Sequence, residues 1–144
     1  MRNIPEAQLV TSLKSLGRSR LPICALYLFG SQATGKQGPL SDVDVAVLLD
    51  EKRISPKSFF RFRLDLIVAA TGACRRPDVD VVILNEATPV LKYEVVRNGR
   101  VIYERDHASR IEFEAGAVQH YLDLEPFYRV SRFYLKRQLL ARHG

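Results

Sequence analysis

The most informative stretch of this sequence is residues 29–44, which read FGSQATGKQGPLSDVD. A Gly-Ser pair is followed by ten residues and then by Asp-Val-Asp. Apolar runs lie at both ends of the stretch, at 25–29 and 43–49, and each is typical of an inner strand that is covered on both faces. The stretch therefore predicts a polar, Gly-rich loop that joins two buried strands.

The acids of this stretch are suited to bind a divalent cation. Residues i and i+2 of a strand point to the same side about 6.6–7 Å apart, so Asp42 and Asp44 present two carboxylates on one face. Such oxygen ligands suit Mg²⁺ or Mn²⁺, which completes its shell with water and substrate phosphate. Gly30 leaves room for a phosphate, and Ser31 adds a hydroxyl at an expected helix start, where free N–H groups attract anions.

Length and composition limit the class of protein. The 144 residues suggest one domain, and a net charge of +6 favours polyanionic ligands: a nucleotide triphosphate, nucleic acid or an acidic partner. Cys24 and Cys74 lie in or beside apolar sequence without metal-ligand spacing, as expected for buried thiols in a reducing compartment. The apolar runs are far shorter than the ~18 residues of a membrane span, so we expect a cytoplasmic protein without a signal peptide.

A third acid interrupts another apolar run. Residues 79–84 are short and β-branched, which predicts a third buried strand, and Asp80 lies within it. Burying a bare carboxylate is costly, so Asp80 must face the strand end or meet a cation. Asp78 is the alternative, although its position after Pro77 is more typical of a loop.

The other elements are predicted from helical spacing and turn signals. Phe60, Leu64 and Ile67 recur at helical spacing and are expected in the core, and Gly72 is expected to end their helix. The residues that widen this apolar stripe are Phe59, Phe62, Leu66 and Ala70. The predicted helices cover residues 6–19, 56–72 and 89–98, and a short strand covers 100–104.

The C-terminal segment is predicted to be helical. Ser109 and Glu112 form a capping box, and Pro126 is expected to break or kink the helix. The residues expected to point inward are Ile111, Ala115, Val118 and Leu122. Because aromatic residues and Arg are enriched in interfaces, residues 113–142 either complete the core or form a surface for a partner.

The order of strand, Gly-Ser, ten-residue spacer, Asp-x-Asp and strand resembles the nucleotidyltransferases related to DNA polymerase beta. It is most similar to their minimal members, the MNT antitoxins that are paired with HEPN-domain toxins. The resemblance implies an α/β (α+β) fold, with a small mixed β-sheet flanked by helices. We expect a nucleotidyltransferase core over residues 1–105 and a C-terminal helical extension over 106–144, within one domain.

The resemblance also implies the activity. Members of this kind transfer AMP from ATP to a hydroxyl of the cognate HEPN ribonuclease toxin, which we expect to be that of a tyrosine, and thereby neutralise it. In the family a third catalytic carboxylate lies on the strand beside the Asp-x-Asp strand, which matches Asp80. Asp42, Asp44 and Asp80 would then hold two Mg²⁺ ions, and Gly30 and Ser31 would hold the β and γ phosphates of ATP. Weaker candidates for the phosphate contacts are Lys36 and Ser41.

Two alternatives remain open at this point. One is a nucleotidyltransferase that acts on a small molecule such as an aminoglycoside, although only residues 105–144 follow the last predicted core strand. The other is a catalytically idle antitoxin that acts by binding alone, against which the three intact acids argue. We expect a hetero-oligomer with the toxin, and no direct role for nucleic acid or a membrane.

Overall fold

The computed structural model describes residues 6–30 and 42–143 of the chain. The helices in these residues are α1 (Glu6–Gly17), α2 (Phe59–Cys74), α3 (Pro89–Asn98) and α4 (His107–His143). The strands are β1 (Ile23–Phe29), β2 (Val43–Leu49), β3 (Val79–Ile83) and β4 (Arg100–Glu104). Short 3₁₀ turns precede α2 at Pro56–Ser58 and follow β3 at Leu84–Glu86.

The four strands form one mixed sheet in the order β3-β2-β1-β4. β2 and β3 are parallel, whereas β1 is antiparallel to both β2 and β4. β1 and β2 are the inner strands and are buried along almost their whole length, which agrees with apolar runs that alternate neither in sequence nor in exposure. The mixed sheet flanked by helices confirms the predicted architecture.

Each face of the sheet is covered by two helices. On one face, Val45 and Val47 of β2 belong to the same core cluster as Leu13 of α1 and Leu66 of α2. On the other face, Ala46 and Leu48 of β2 share a cluster with Val95 of α3, against which Phe113 of α4 packs. Alternate residues of β2 therefore belong to different layers, because successive side chains of a strand point to opposite faces.

The buried stripe of α2 is one side of the wide stripe that the sequence predicts: Phe59, Leu66 and Ala70 are buried as expected. Phe60 is 69% exposed and Leu64 is also exposed, so their assignment to the core was wrong. The buried residues of this helix are Phe59, Leu66, Ala70 and Cys74. The helix carries two apolar stripes, and burying one against the sheet leaves the other in water.

The C-terminal end of α2 also differs. The helix continues past Gly72 to Cys74 and ends at Arg75, which adopts the left-handed conformation with a φ of 53°. The backbone N–H of Arg75 donates to the carbonyl of Thr71, which satisfies one of the free carbonyls of the last turn. The expected stop at Gly72 was therefore wrong by two residues.

α4 begins earlier than its capping box predicted. The carboxylate of Asp106 accepts hydrogen bonds from the backbone N–H of Ala108, at 3.1 Å, and from the hydroxyl of Ser109, at 2.7 Å. Asp106 is thus the N-cap, and Ser109 lies within the first turn. The 37-residue helix also continues through Pro126, so no break occurs there. In the described part of the chain, α4 included, no helix combines the length and apolarity needed to cross a membrane.

The face of α4 that meets the rest of the protein is not the predicted one. Ile111 and Leu122 are exposed, whereas Ala117 is buried. The ring of Tyr121 stacks on that of Tyr93 in α3, with 3.9 Å between the ring centroids. The inward stripe is rotated from the predicted one, because α4 packs against both α3 and the sheet.

Candidate active site

The register of the parallel strands brings two of the predicted site residues side by side. Asp44 of β2 is paired with Asp80 of β3, and residues directly opposite each other on neighbouring strands point to the same face. Asp42 lies just before β2 and is exposed. The three acids therefore gather at the N-terminal ends of the parallel strands.

Gly30 lies against this acidic group. It follows β1 directly and has a φ of 70°, in the left-handed region that strongly favours glycine. A Cβ at Gly30 would lie only 2.5 Å from Oδ2 of Asp44. Whereas sequence analysis explained this glycine by the approach of a phosphate, the structure shows that a side chain here would displace Asp44.

The electrostatics of Asp44 show that the three acids influence one another. Partial burial raises the pKa of Asp44, and the negative charges of Asp80 and Asp42 raise it further. Three carboxylates form an oxygen-only donor set, which suits Mg²⁺ or Mn²⁺, and a divalent cation would relieve their mutual repulsion. The residue types at the site therefore fit the metal that the sequence predicts.

The three carboxylates do not yet converge on a single point. Within residues 6–30 and 42–143, no group of three acidic, histidine or cysteine side chains is arranged to share a metal ion. The orientation of Asp80 is fixed by its Oδ1, which accepts hydrogen bonds from the Val81 N–H, at 2.9 Å, and from Nη2 of Arg63, at 3.2 Å. Metal binding by all three acids would require these side chains to draw together.

Arg63 is a residue of the site that sequence analysis missed. Besides its contact with Asp80, its Nε donates to the carbonyl of Val81 at 2.7 Å, so the guanidinium is held at two points on β3. Arg63 lies four residues after Phe59 and three before Leu66, on the buried stripe of α2. A cation on an otherwise apolar stripe needs a carboxylate partner, and this was the signal that could have revealed it.

The alternative acid, Asp78, has a structural partner. Its two carboxylate oxygens accept hydrogen bonds from Nε and Nη2 of the buried Arg76, and this pairing lowers the pKa of Asp78. The Asp78 carbonyl also accepts the backbone N–H of Val43, at 3.0 Å. Asp78 thus joins the starts of β2 and β3, whereas the side chain of Asp80 is exposed.

The remaining predicted site residues cannot be compared with the geometry. Ser31, Lys36 and Ser41 lie outside the described residues. Of the predicted phosphate-binding loop, the structure describes the first residue, Gly30. It also describes Asp42 and Asp44, which follow the loop.

The site thus combines a glycine at the end of β1 with carboxylates on β2 and β3, the next two strands of the mixed sheet. The sequence pattern of the family described as Polymerase beta, Nucleotidyltransferase matches residues 11–108. This chain belongs to that family, and the matched region contains the whole acidic site.

Among characterised proteins, this chain is similar to the protein adenylyltransferase MntA of Aphanizomenon flos-aquae (strain 2012/KM1/D3). The two are 35% identical over 83 residues, which cover 55% of this chain and 55% of that protein. The match thus spans about half the length of this relative.

Solved structures of toxin–antitoxin complexes have the same fold. One, with AMP-PNP, contains a chain with a TM-score of 0.68 and 23% identity, and the match covers 92% of this chain and 99% of that one. Another is a tri-AMPylated Shewanella oneidensis HEPN toxin with an MNT antitoxin, with a TM-score of 0.70, 23% identity and coverage of 91% and 98%. The fold therefore extends over nearly the full length of these chains.

Proposed function

We propose that this protein is a cytoplasmic, antitoxin-type adenylyltransferase that transfers AMP from ATP to a tyrosine hydroxyl of a cognate HEPN ribonuclease toxin. The observation that carries the proposal is the gathering of Asp42, Asp44 and Asp80 at one end of β2 and β3. Support comes from the relative named a protein adenylyltransferase and from the solved complex of an MNT antitoxin with an AMPylated HEPN toxin. Neutralisation of the toxin would follow from this modification.

The transfer is a displacement at phosphorus. The acceptor oxygen forms a bond to the α-phosphorus of ATP, the bond from that phosphorus to the bridging oxygen breaks, and pyrophosphate leaves. The hydroxyl proton passes to Asp80, whose Oδ2 accepts no hydrogen bond from the described residues. A tyrosine suits this chemistry because its pKa of about 10 is far below that of an aliphatic hydroxyl.

The protein's own contribution is charge and position. Asp42, Asp44 and Asp80 would hold Mg²⁺, and Gly30 and Ser31 would contact the β and γ phosphates. When bound, Mg²⁺ offsets the charge of the triphosphate and favours the deprotonated acceptor. Since an ATP molecule and three carboxylates repel each other, nucleotide binding should be weak when the divalent cation is removed with EDTA.

The test is to incubate this protein with ATP, Mg²⁺ and the HEPN toxin encoded beside it, and to weigh both proteins by intact mass spectrometry. AMP-sized increments on the toxin are expected. Asp42→Asn and Asp44→Asn should each reduce the increments by about 10²-fold or more while the circular dichroism spectrum is retained, because each removes a ligand charge at constant volume. Increments found only on small molecules or RNA would reject the proposal, and toxin binding without increments would identify an idle antitoxin.

A further inference from the structure

The last part of α4 is not buried by any other part of the described chain. Tyr121 and Tyr128 are half-buried, with 5.9 Å between their ring centroids, and Tyr121 stacks on α3. From Arg129 to Arg142 every residue is exposed. We call residues 129–142 the helix tail.

The helix tail is apolar and basic. Its large apolar side chains are between 48% and 62% exposed: Val130, Phe133, Tyr134, Leu135, Leu139 and Leu140. Its charged residues are all basic: Arg129, Arg132, Lys136, Arg137 and Arg142. The last acid before the tail is Glu125. So many exposed large apolar side chains within one segment mark an interaction site.

The apolar residues lie on opposite sides of the helix tail. At 100° per residue, Leu135 and Leu139 continue the side of α4 that carries Tyr128, whereas Val130 and Phe133 lie on the other side. A membrane surface or a flat protein face would cover one side and leave the other in water. A helix that is apolar on opposite sides is instead typical of one that is enclosed.

We propose that the helix tail inserts into an acidic, apolar groove of a partner protein that encloses it on both sides. The uniformly basic charge argues for an acidic groove and against a second copy of this chain, whose tail would bring like charges together without acids to offset them. The inference rests on the proposed function in one respect: it takes this partner to be the HEPN toxin.

The test is to measure binding of the purified toxin to full-length variants by isothermal titration calorimetry. One double variant, Phe133→Ala with Leu140→Ala, and another, Leu135→Ala with Leu139→Ala, remove apolar surface from the two sides and keep helix propensity. Each should weaken binding by about 30-fold or more, as expected for residues at the centre of an interface. The matched control is Phe60→Ala with Val68→Ala, a pair that is equally exposed on α2 and should change affinity by no more than about 2-fold.

Charge is tested separately. Arg132→Glu with Arg137→Glu should slow association, and wild-type affinity should fall as salt increases, because the attraction to an acidic groove is screened. An affinity that is independent of both salt and this charge reversal would overturn the acidic character of the groove.

Other results would reject the inference or point to a different binding partner for the helix tail. Wild-type affinity in both tail variants, or no toxin binding by the wild type, overturns the inference. So does a wild-type dimer that the tail variants abolish, or tail-dependent binding to vesicles of anionic phospholipid. Tail-dependent toxin binding without AMP increments would support this inference and contradict the proposed enzyme activity, whereas increments with tail-independent binding would do the reverse.

Discussion

At Gly30, the backbone conformation and a neighbouring carboxylate both exclude a side chain. The positive φ of 70° disfavours any residue with a Cβ, and the space that a Cβ would occupy lies 2.5 Å from Oδ2 of Asp44. Phe29, the residue before Gly30, is the register partner of Asp44 in the β1–β2 pair. The absence of a side chain at Gly30 therefore leaves room for the carboxylate of Asp44.

Gly30→Ala should reduce AMP transfer more than it reduces stability. The left-handed conformation costs an alanine about 1–2 kcal/mol, and displacement of Asp44 should lower the transfer rate by about 10-fold or more. Transfer from labelled ATP and thermal melting by circular dichroism measure the two effects. The control is Gly72→Ala, where a Cβ meets nothing within 4 Å in helix α2 and should stabilise the fold slightly. Wild-type transfer by Gly30→Ala would contradict the placement of Asp44 at the site.

Arg63 positions Asp80 through two contacts on β3. Arg63→Met should release Asp80 and lower metal affinity and transfer by about 10–100-fold, the usual effect of losing a residue that orients a metal ligand. Arg63→Lys keeps the charge but not the forked geometry, so an intermediate loss is expected. Binding of Mn²⁺, followed by electron paramagnetic resonance, would separate a loss of metal from a general loss of activity.

The control for Arg63 is on the same helix. Arg61 is exposed, so Arg61→Met removes an equal charge without touching β3. Equal Mn²⁺ affinity in Arg63→Met and Arg61→Met would show that Arg63 has no role in the metal site.

At the scale of elements, ion pairs and a hydrogen bond hold the start of α4 on the sheet. Arg110 of α4 pairs with Glu104 of β4 and, at 2.6 Å, with Glu114. The hydroxyl of the buried Tyr27 in β1 donates to Glu114 at 2.8 Å. Two strands are thus linked to one turn of α4, which fixes where this helix lies on the sheet.

Glu104→Gln should lower the melting temperature at neutral pH, and by less in acid. Hydrogen bonds from Arg110 and His107 hold the pKa of Glu104 below its usual value of 4.5. The stabilisation is therefore fully present above pH 4.5 and is lost as the pH falls through the folded-state pKa. Melting curves from about pH 7 down to about pH 3 should show a difference from wild type that is full at neutral pH and becomes smaller as the pH falls below 4.5. Glu112→Gln, an exposed change on the same helix, is the control; a pH-independent loss in Glu104→Gln would exclude an electrostatic cause.

At the scale of the whole molecule, α4 belongs to the core along one part of its length only. Phe113 packs on the second core cluster and Ala117 is buried, whereas the helix tail is exposed. We therefore propose that residues 1–105 and the C-terminal extension, 106–144, form a single domain whose core includes the first turns of that extension. The tail would be the part of this domain that serves an assembly.

Two truncations test this division. A chain that ends after Tyr128 should melt at the wild-type temperature, because the residues 129–142 that it loses are exposed. A chain that ends after Arg105 should be strongly destabilised, since it exposes Tyr27 and the sheet face beneath Phe113. Differential scanning calorimetry measures both, and a stable, cooperatively unfolding chain 1–105 would show that the extension is not part of the domain.

The sequence alone determined the elements whose signals are local. β2 has the predicted bounds, Val43–Leu49, because a continuous apolar run next to polar loop residues is a strand signal that needs no partner. The proline turn signals before α2 and α3 were also sufficient, since Ser55 and Thr88 cap the elements that follow them. The pairing of Asp42 with Asp44 on one face stays a prediction, because Asp42 precedes β2 and the alternation of the strand does not fix its side chain.

Tertiary structure decided which of several similar apolar helix faces became buried against the sheet. α2 and α4 each carry more than one apolar stripe, and the free energy of packing against the sheet selected Leu66 over Leu64 and Ala117 over Ile111. The approach of Asp44 to Gly30, its register with Asp80 and the hold of Arg63 on Asp80 join segments that are distant in sequence. Such contacts depend on how the layers pack, because local propensity fixes the period of a stripe but not the side of the helix that is buried.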